Sequence, residues 1–195
     1  MSEAKLSIKV ILGSTRPERF SEKPGAWIFD ILAKRSDVKA ELLDLRDYPM
    51  PFFNEPVTPS SKKEPYTEPA VAKWTKKIAE ADGFIVITPE YNHGYPAVLK
   101  NAFDYVSEEW NKKPVAFVAY GSAMGARSVE QLRLVAIELQ MAPVRNALHM
   151  PWDAVEAGRK SPPAEAFKQY EARAESVIDQ LVWWAKALKT ARDGA

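Results

Sequence analysis

A chain of 195 residues, 46% hydrophobic and with a net charge of +1, suits one globular domain over residues 1–195; the composition excludes disorder, and the charge excludes bulk-electrostatic recruitment of nucleic acid or membrane. Zero cysteines remove disulfides, thiolate nucleophiles, Cys-ligated zinc and iron–sulfur clusters, and fit a reducing, cytoplasmic setting. The two histidines, His93 and His149, lie far apart, no apolar window has membrane-spanning length, and the first residues carry no export pattern.

The first element is the apolar run "LSIKVIL" (6–12), a strand that breaks into "GSTRPERFSE". Ser21 then caps a helix carrying Trp27, Ile28, Ile31 and Leu32 at helical spacing, with Pro24 in its opening turn. A second strand, "AELLDL" (40–45), leads into the Pro-rich residues 46–69, too long for an ordinary connection and read as a lid, interface or mobile segment. A helix over 69–80 precedes the strand "GFIVIT" (83–88). The next helix begins at Pro96 and aligns Leu99, Ala102, Phe103 and Val106. The strand "PVAFVAY" (114–120), a helix over 126–141 and the strand "VRNALHM" (144–150) follow. One last helix starts near Ser161-Pro162, and its stripe runs from Phe167 to Leu188, leaving "TARDGA" as a frayed tail.

Near-continuous apolar strands alternating with helices predict an α/β three-layer sandwich, a five-stranded parallel sheet with helices on both faces. Five strands suit the doubly wound order 2-1-3-4-5, whose ligands sit at the carboxyl ends of the strands. The unusual loops of this sequence fall at those ends.

In the first loop, Gly13 permits a close turn, Ser14 and Thr15 offer hydroxyls, Arg16 offers a guanidinium, and the amides of a helix N-terminus follow. That set suits a single phosphate. The absence of both G-x-G-x-x-G and Gly-Lys-Ser/Thr excludes the dinucleotide fingerprint and the P-loop. Against this stands the plainer reading of a common turn with a surface arginine. The second loop, "TPEYNHGYP", bunches Pro89, Glu90, Tyr91, Asn92 and His93 at the end of the central strand, where amides and a flat tyrosine suit a planar heterocycle. In the third, "YGSAMGARSVEQLR", Gly121 and Gly125 allow close backbone approach and Ser122 offers a hydrogen bond, although glycines also serve plain turns.

Together "GSTRPERFSE", "TPEYNHGYPAVLKNAFDYVSEEW" and "AYGSAMGARSVEQLR" resemble the NADPH-dependent FMN reductase family, flavodoxin-like in fold. The resemblance implies bound FMN, NAD(P)H as electron donor, and assembly as a homodimer or homotetramer. Carried over by position, it implies that Ser14, Arg16, Phe20 and Ser21 hold the FMN phosphate. Pro89, Glu90, Tyr91 and Asn92 would carry the isoalloxazine ring, and Tyr120, Gly121 and Ser122 would border its pyrimidine edge. Arg19 and the Met124-Gly125-Ala126 segment depart from the commoner family pattern and have no assigned role. The cofactor carries the chemistry in such enzymes, so no catalytic side chain is assigned. The expected reaction passes a hydride from NAD(P)H through FMN to quinones, free flavin or similar acceptors in ping-pong fashion. The competing reading is a flavodoxin-like electron carrier or redox-responsive FMN-binding protein. The charge of +1 argues against a carrier, which is typically acidic. His93 is weighed as a proton donor to a quinone oxygen and read as a hydrogen-bonding spacer, His149 as structural, Lys100, Asn101 and Asp104 as interface candidates, Trp110 and the Trp183-Trp184 pair as core or interface aromatics, and Phe52, Phe53 and Trp110 as exposed aromatics for subunit assembly.

Overall fold

The computed structural model describes residues 5–194; the expectations placed on the first four residues and on Ala195 lie outside them. Strands β1 (Leu6–Leu12), β2 (Val38–Asp44), β3 (Gly83–Pro89), β4 (Pro114–Tyr120) and β5 (Ala142–Met150) pair in parallel in the order 2-1-3-4-5. β3 and β4 are buried at every position, which is why their sequences run apolar without alternation. In register, Leu12 pairs with Asp44 of β2 and Ile87 of β3, and Tyr120 pairs with Pro89 and Met150. The carboxyl ends therefore form one ledge.

One face of the sheet is covered by α1 (Glu22–Ala33), α5 (Trp152–Lys160), the single turn α6 (Pro163–Ala166) and α7 (Glu171–Asp193). There Trp27, Ile28, Leu32, Val177, Ile178 and Leu181 meet Val10, Ile85, Ile87 and Val118. The other face is covered by α2 (Pro69–Ala79), α3 (Ala97–Asp104) and α4 (Ala126–Glu138), where Trp74, Leu99, Phe103 and Leu132 meet Ile11, Phe84, Val86 and Phe117. Each such buried side chain contributes roughly 1.5–3 kcal/mol of transfer free energy. The edge strand β5 is blunted from both faces: Arg133 donates to the Val144 and Arg145 carbonyls, Arg173 donates to Ala147, and the Asn146 amide donates to Gln180.

Several expectations are corrected. The last helix is not one element; α5 and α6 precede it, Phe167 fills the corner between α6 and α7, and α7 continues to Asp193 through most of the supposed tail. Ser21 precedes α1 but makes no capping hydrogen bond, because its own backbone is already helical (φ −53°, ψ −24°). Trp110 is fully buried against Phe84 and Phe103, whereas Trp183 and Trp184 are exposed and not core. The long β2–α2 connection is built rather than loose. It holds two short 3-10 turns (Leu45–Asp47 and Pro59–Ser61) and is tied down by Asn101, which accepts from the Phe53 amide at 2.8 Å and donates to the Pro51 carbonyl at 2.8 Å. Asn101 thus serves this loop from within its own chain. Lys100 and Asp104 pair across one helical turn at 2.7 Å.

Candidate active site

The β1–α1 loop turns down onto β3 at Gly13, whose amide donates to the Ile87 carbonyl at 2.8 Å. A Cβ at Gly13 would stand 2.8 Å from that oxygen and 2.9 Å from Leu99, so only glycine fits. Ser14 is buried, and its Oγ lies 2.9 Å from the Tyr91 hydroxyl. Beyond it, the amides of Glu18, Arg19, Phe20 and Ser21 meet no acceptor among the described residues. The Ser21 hydroxyl is buried and also unpartnered.

Two arginines in this loop have opposite fates. The Arg19 side chain is 1% exposed; it reaches across to Asp44 at the end of β2 with two hydrogen bonds, bonds the Ser14 carbonyl, and meets Glu22 at 3.0 Å. Burial pulls the Arg19 pKa down, but Asp44 and Glu22 outweigh it and hold the guanidinium above its ordinary value. Burial likewise pushes the Asp44 carboxyl up, and the bonds from Arg19 and the Arg46 amide bring it below the usual carboxylate range. Arg46 completes the brace, contacting Glu22 at 2.9 Å and the Thr15 and Arg16 carbonyls. Arg16 is exposed, packs 5.7 Å over the Tyr91 ring, and has no carboxylate partner among the described residues.

The β3–α3 loop makes a tight reversal in which Tyr91 and Gly94 exchange backbone hydrogen bonds at 2.8 and 3.0 Å. Asn92 and His93 at its tip both have positive φ (49° and 70°), the signature of a type I′ turn and a conformation that asparagine tolerates well. The turn is pinned to α4. The buried Glu90 carboxylate pairs with Arg127, and Arg127 also donates to His93 Nε2 at 2.8 Å. Guanidinium has no acceptor, so His93 Nε2 accepts there and the ring spaces the turn from α4. The Ser128 and Thr88 hydroxyls both bond the Pro89 carbonyl at 2.9 Å. In the β4–α4 loop the Gly121 amide donates to the Met150 carbonyl at 3.3 Å, while the Ser122 amide has no acceptor among the described residues. His149 Nδ1 meets the Met124 carbonyl at 3.1 Å, a structural contact.

These loops enclose an open cleft of ≈ 590 Å³. Of the residues singled out from the sequence, Arg16, Phe20, Pro89, Glu90, Tyr91, Tyr120 and Gly121 line it. Ser14 and Ser21 are buried within the loop that borders it; Asn92 and Ser122 are exposed and do not line it. Sequence reasoning missed Trp152, Val155 and Arg159, which line the cleft from α5. Their spacing of i, i+3 and i+7 after Pro151, a good helix opener, was the available signal. Phe20 stacks edge-on against Tyr120 at 4.9 Å, and burial pushes the Tyr120 phenol well above its ordinary pKa.

Unpartnered amides, an orphaned buried hydroxyl and an unpaired guanidinium at a helix N-terminus fit a phosphate monoester. With a slot between the ends of β3 and β4, the geometry defines a doubly wound flavin-type protein. Residues 6–153 match the family model described as NADPH-dependent FMN reductase, and the chain belongs to that family. Members use FMN with NAD(P)H as electron donor, so the protein is an NAD(P)H-dependent oxidoreductase. It is 38% identical over 163 residues to an NAD(P)H-dependent FMN reductase of Schizosaccharomyces pombe, covering 83% of this chain and 82% of the relative. A 2-hydroxy-1,4-benzoquinone reductase from a Burkholderia species is 32% identical over 127 residues, covering 62% of each chain. The fold matches that of FerB, a flavoenzyme NAD(P)H:(acceptor) oxidoreductase from Paracoccus denitrificans, with a TM-score of 0.70 and 23% identity over 93% of this chain and 98% of that one.

Proposed function

We propose that residues 1–195 form one FMN-binding domain that reduces quinone-type acceptors or free flavin with NAD(P)H, alternating the two substrates in one slot by a ping-pong sequence. The observation that carries this reading is the run of unclaimed amides at the start of α1, with the buried Ser21 hydroxyl, faced only by the Tyr120 hydroxyl, beside them. Bound there, FMN would supply two-electron chemistry between donor and acceptor.

The chain's own part is positional. Ser14, Arg16, Phe20 and Ser21 hold the phosphate, with Arg16 supplying charge and the loop supplying N–H donors. Pro89, Glu90 and Tyr91 form the floor under the ring, and the Glu90–Arg127 pair keeps that floor rigid. Asn92 sets the turn, and the free Ser122 amide, rather than that of Gly121, is the donor to the pyrimidine edge. Such a donor stabilises negative charge that develops there on reduction. Quinone acceptors are supported by the benzoquinone reductase among the relatives and by the flatness of the slot.

A homodimer or homotetramer is supported by the exposed Phe52 and Trp183, 78% and 64% accessible. Light scattering at micromolar concentration checks it, and a monomer would count against it. No helix among the described residues is long and apolar enough to cross a membrane, and the cysteine-free composition supports a cytoplasmic setting. Absorbance spectra of purified protein supplied with FMN, then NAD(P)H, then a quinone, test the whole reading. Yellow protein that bleaches and recovers is expected; protein that takes up no FMN refutes it.

A further inference from the structure

We propose that Arg159, on α5, is a second cation for the phosphate of FMN, facing the β1–α1 loop across the cleft from Arg16. The inference rests on the reading that this cleft holds FMN. It concerns a helix almost wholly beyond the segment that matches the family, which ends at residue 153.

Three observations carry it. The first is placement. Trp152, Val155 and Arg159 share one face of α5, and all three line the same cleft as Arg16 and Phe20. Lys160 at the same helix end does not line it, so favourable interaction with the helix dipole, which serves both residues equally, does not account for the position of Arg159.

The second is how the helix is seated. A Cβ on Gly158 would stand 2.7 Å from the Phe167 ring and 2.9 Å from the Phe20 ring. Glycine there lets α5 lie directly against Phe20, within the loop of unclaimed amides. Its neighbour Arg159 lies one residue from that contact with the β1–α1 loop.

The third is charge. Arg19 also lines the cleft and Arg127 pairs with its Glu90, but both are committed to carboxylates. Arg16 and Arg159 have no carboxylate partner among the described residues, and of the lining acids only Glu18 is likewise unpaired. The surplus is positive. A phosphate monoester carries about −1.5 to −2 charges near neutral pH, more than one guanidinium offsets. Two arginines from opposite walls meet that charge.

Riboflavin has the same ring and ribityl chain without the phosphate, which makes it the discriminating probe. Apoprotein is titrated with FMN and with riboflavin, following flavin fluorescence, for wild type, Arg159→Ala and Arg159→Lys. Arg159→Ala is expected to weaken FMN about tenfold while leaving riboflavin unchanged, so the preference for FMN falls by the same factor. The salt dependence of FMN binding should flatten, and Arg159→Lys should recover part of the loss. Equal losses for both flavins would assign Arg159 to the ring wall and overturn the inference, as would no loss at all. Wild-type protein that binds neither flavin would overturn the cofactor reading together with this inference; wild-type protein that binds FMN beside an unaffected Arg159→Ala overturns the inference alone. Thermal melting of the apo variant confirms that the fold is intact, since Arg159 bonds no other side chain among the described residues.

Discussion

The two ends of the sheet treat charge differently. At the amino end, Asp82 accepts from the Ser7 amide at 3.0 Å, Lys189 at 3.1 Å and Arg192 at 3.0 Å, and buried Lys113 donates to the Ile78 and Ala79 carbonyls at 2.9 and 3.0 Å. Each of these charged groups has its partner within the chain. At the carboxyl end, Arg19 and Glu90 are equally well paired, but they frame groups that are not: Arg16, Arg159, the Ser21 hydroxyl and a row of amides. Unmet polar groups cost stability, so a protein retains them where a ligand completes them. Trp110 Nε1 and the Tyr66 hydroxyl are also buried without partners, so a single orphan is not enough; it is the clustering of such groups with unpaired arginines at the carboxyl end that points to a site.

The largest effect should come from cutting the frame of the open end. Arg19→Ala strands the Asp44 carboxylate and frees the β1–α1 loop, so about 3–5 kcal/mol of stability should be lost in urea unfolding, together with FMN retention. Restored stability in the double variant with Asp44→Ala would show that the stranded charge, rather than lost packing, carries the cost. At the amino end, Asp82→Ala should cost about 2–3 kcal/mol, because it orphans the Ser7 amide and two cations. FMN affinity should stay at the wild-type value, and a parallel drop would break the division between the two ends.

Arg16→Ala should do the reverse. FMN affinity should fall by about 2 kcal/mol while urea stability stays within about 0.5 kcal/mol of wild type. Unchanged affinity would remove Arg16 from the phosphate site. The smallest effect is a pH slope. Burial, and secondarily the Arg192 charge, pushes Lys113 down to about 8 from its ordinary 10.5. Between those values the unfolded chain binds the proton that the folded chain has released. Stability from this group therefore rises with pH across that window, by at most about 1.4 kcal/mol per pH unit. Lys113→Met should flatten the slope between pH 8 and 9, where tyrosines, with an ordinary pKa of 10, are still largely protonated in both states; an unchanged slope would show that Lys113 does not carry it.

The strand order and the position of the loops were legible because both-face burial writes itself as uninterrupted apolar runs, as in "GFIVIT" and "PVAFVAY". The three motifs were legible because a glycine followed by hydroxyls, a cation and a helix start is a local arrangement. Helix α5 was not, since "PWDAVEAGRK" is short and its one face signal, Trp152, Val155 and Arg159 at i, i+3 and i+7, ends on a charged residue. Trp110 was open between core and interface in "SEEW", and Phe84 of β3 and Phe103 of α3 decide for the core by closing over it.

The pair Arg16 and Arg19 shows where the boundary lies. By itself the sequence determined that two arginines would flank an anion-binding turn, because chemistry and spacing within "GSTRPERFSE" are local. It singled out Arg16 for the anion and left Arg19 without a role. Tertiary structure decided that role: β1 and β2 pair so that Leu12 stands opposite Asp44, and the carboxylate arrives within reach of Arg19 from 25 positions away. Arg19 became scaffold because its partner came with the sheet register, and Arg16, which lines the open cleft, is left without a carboxylate partner among the described residues.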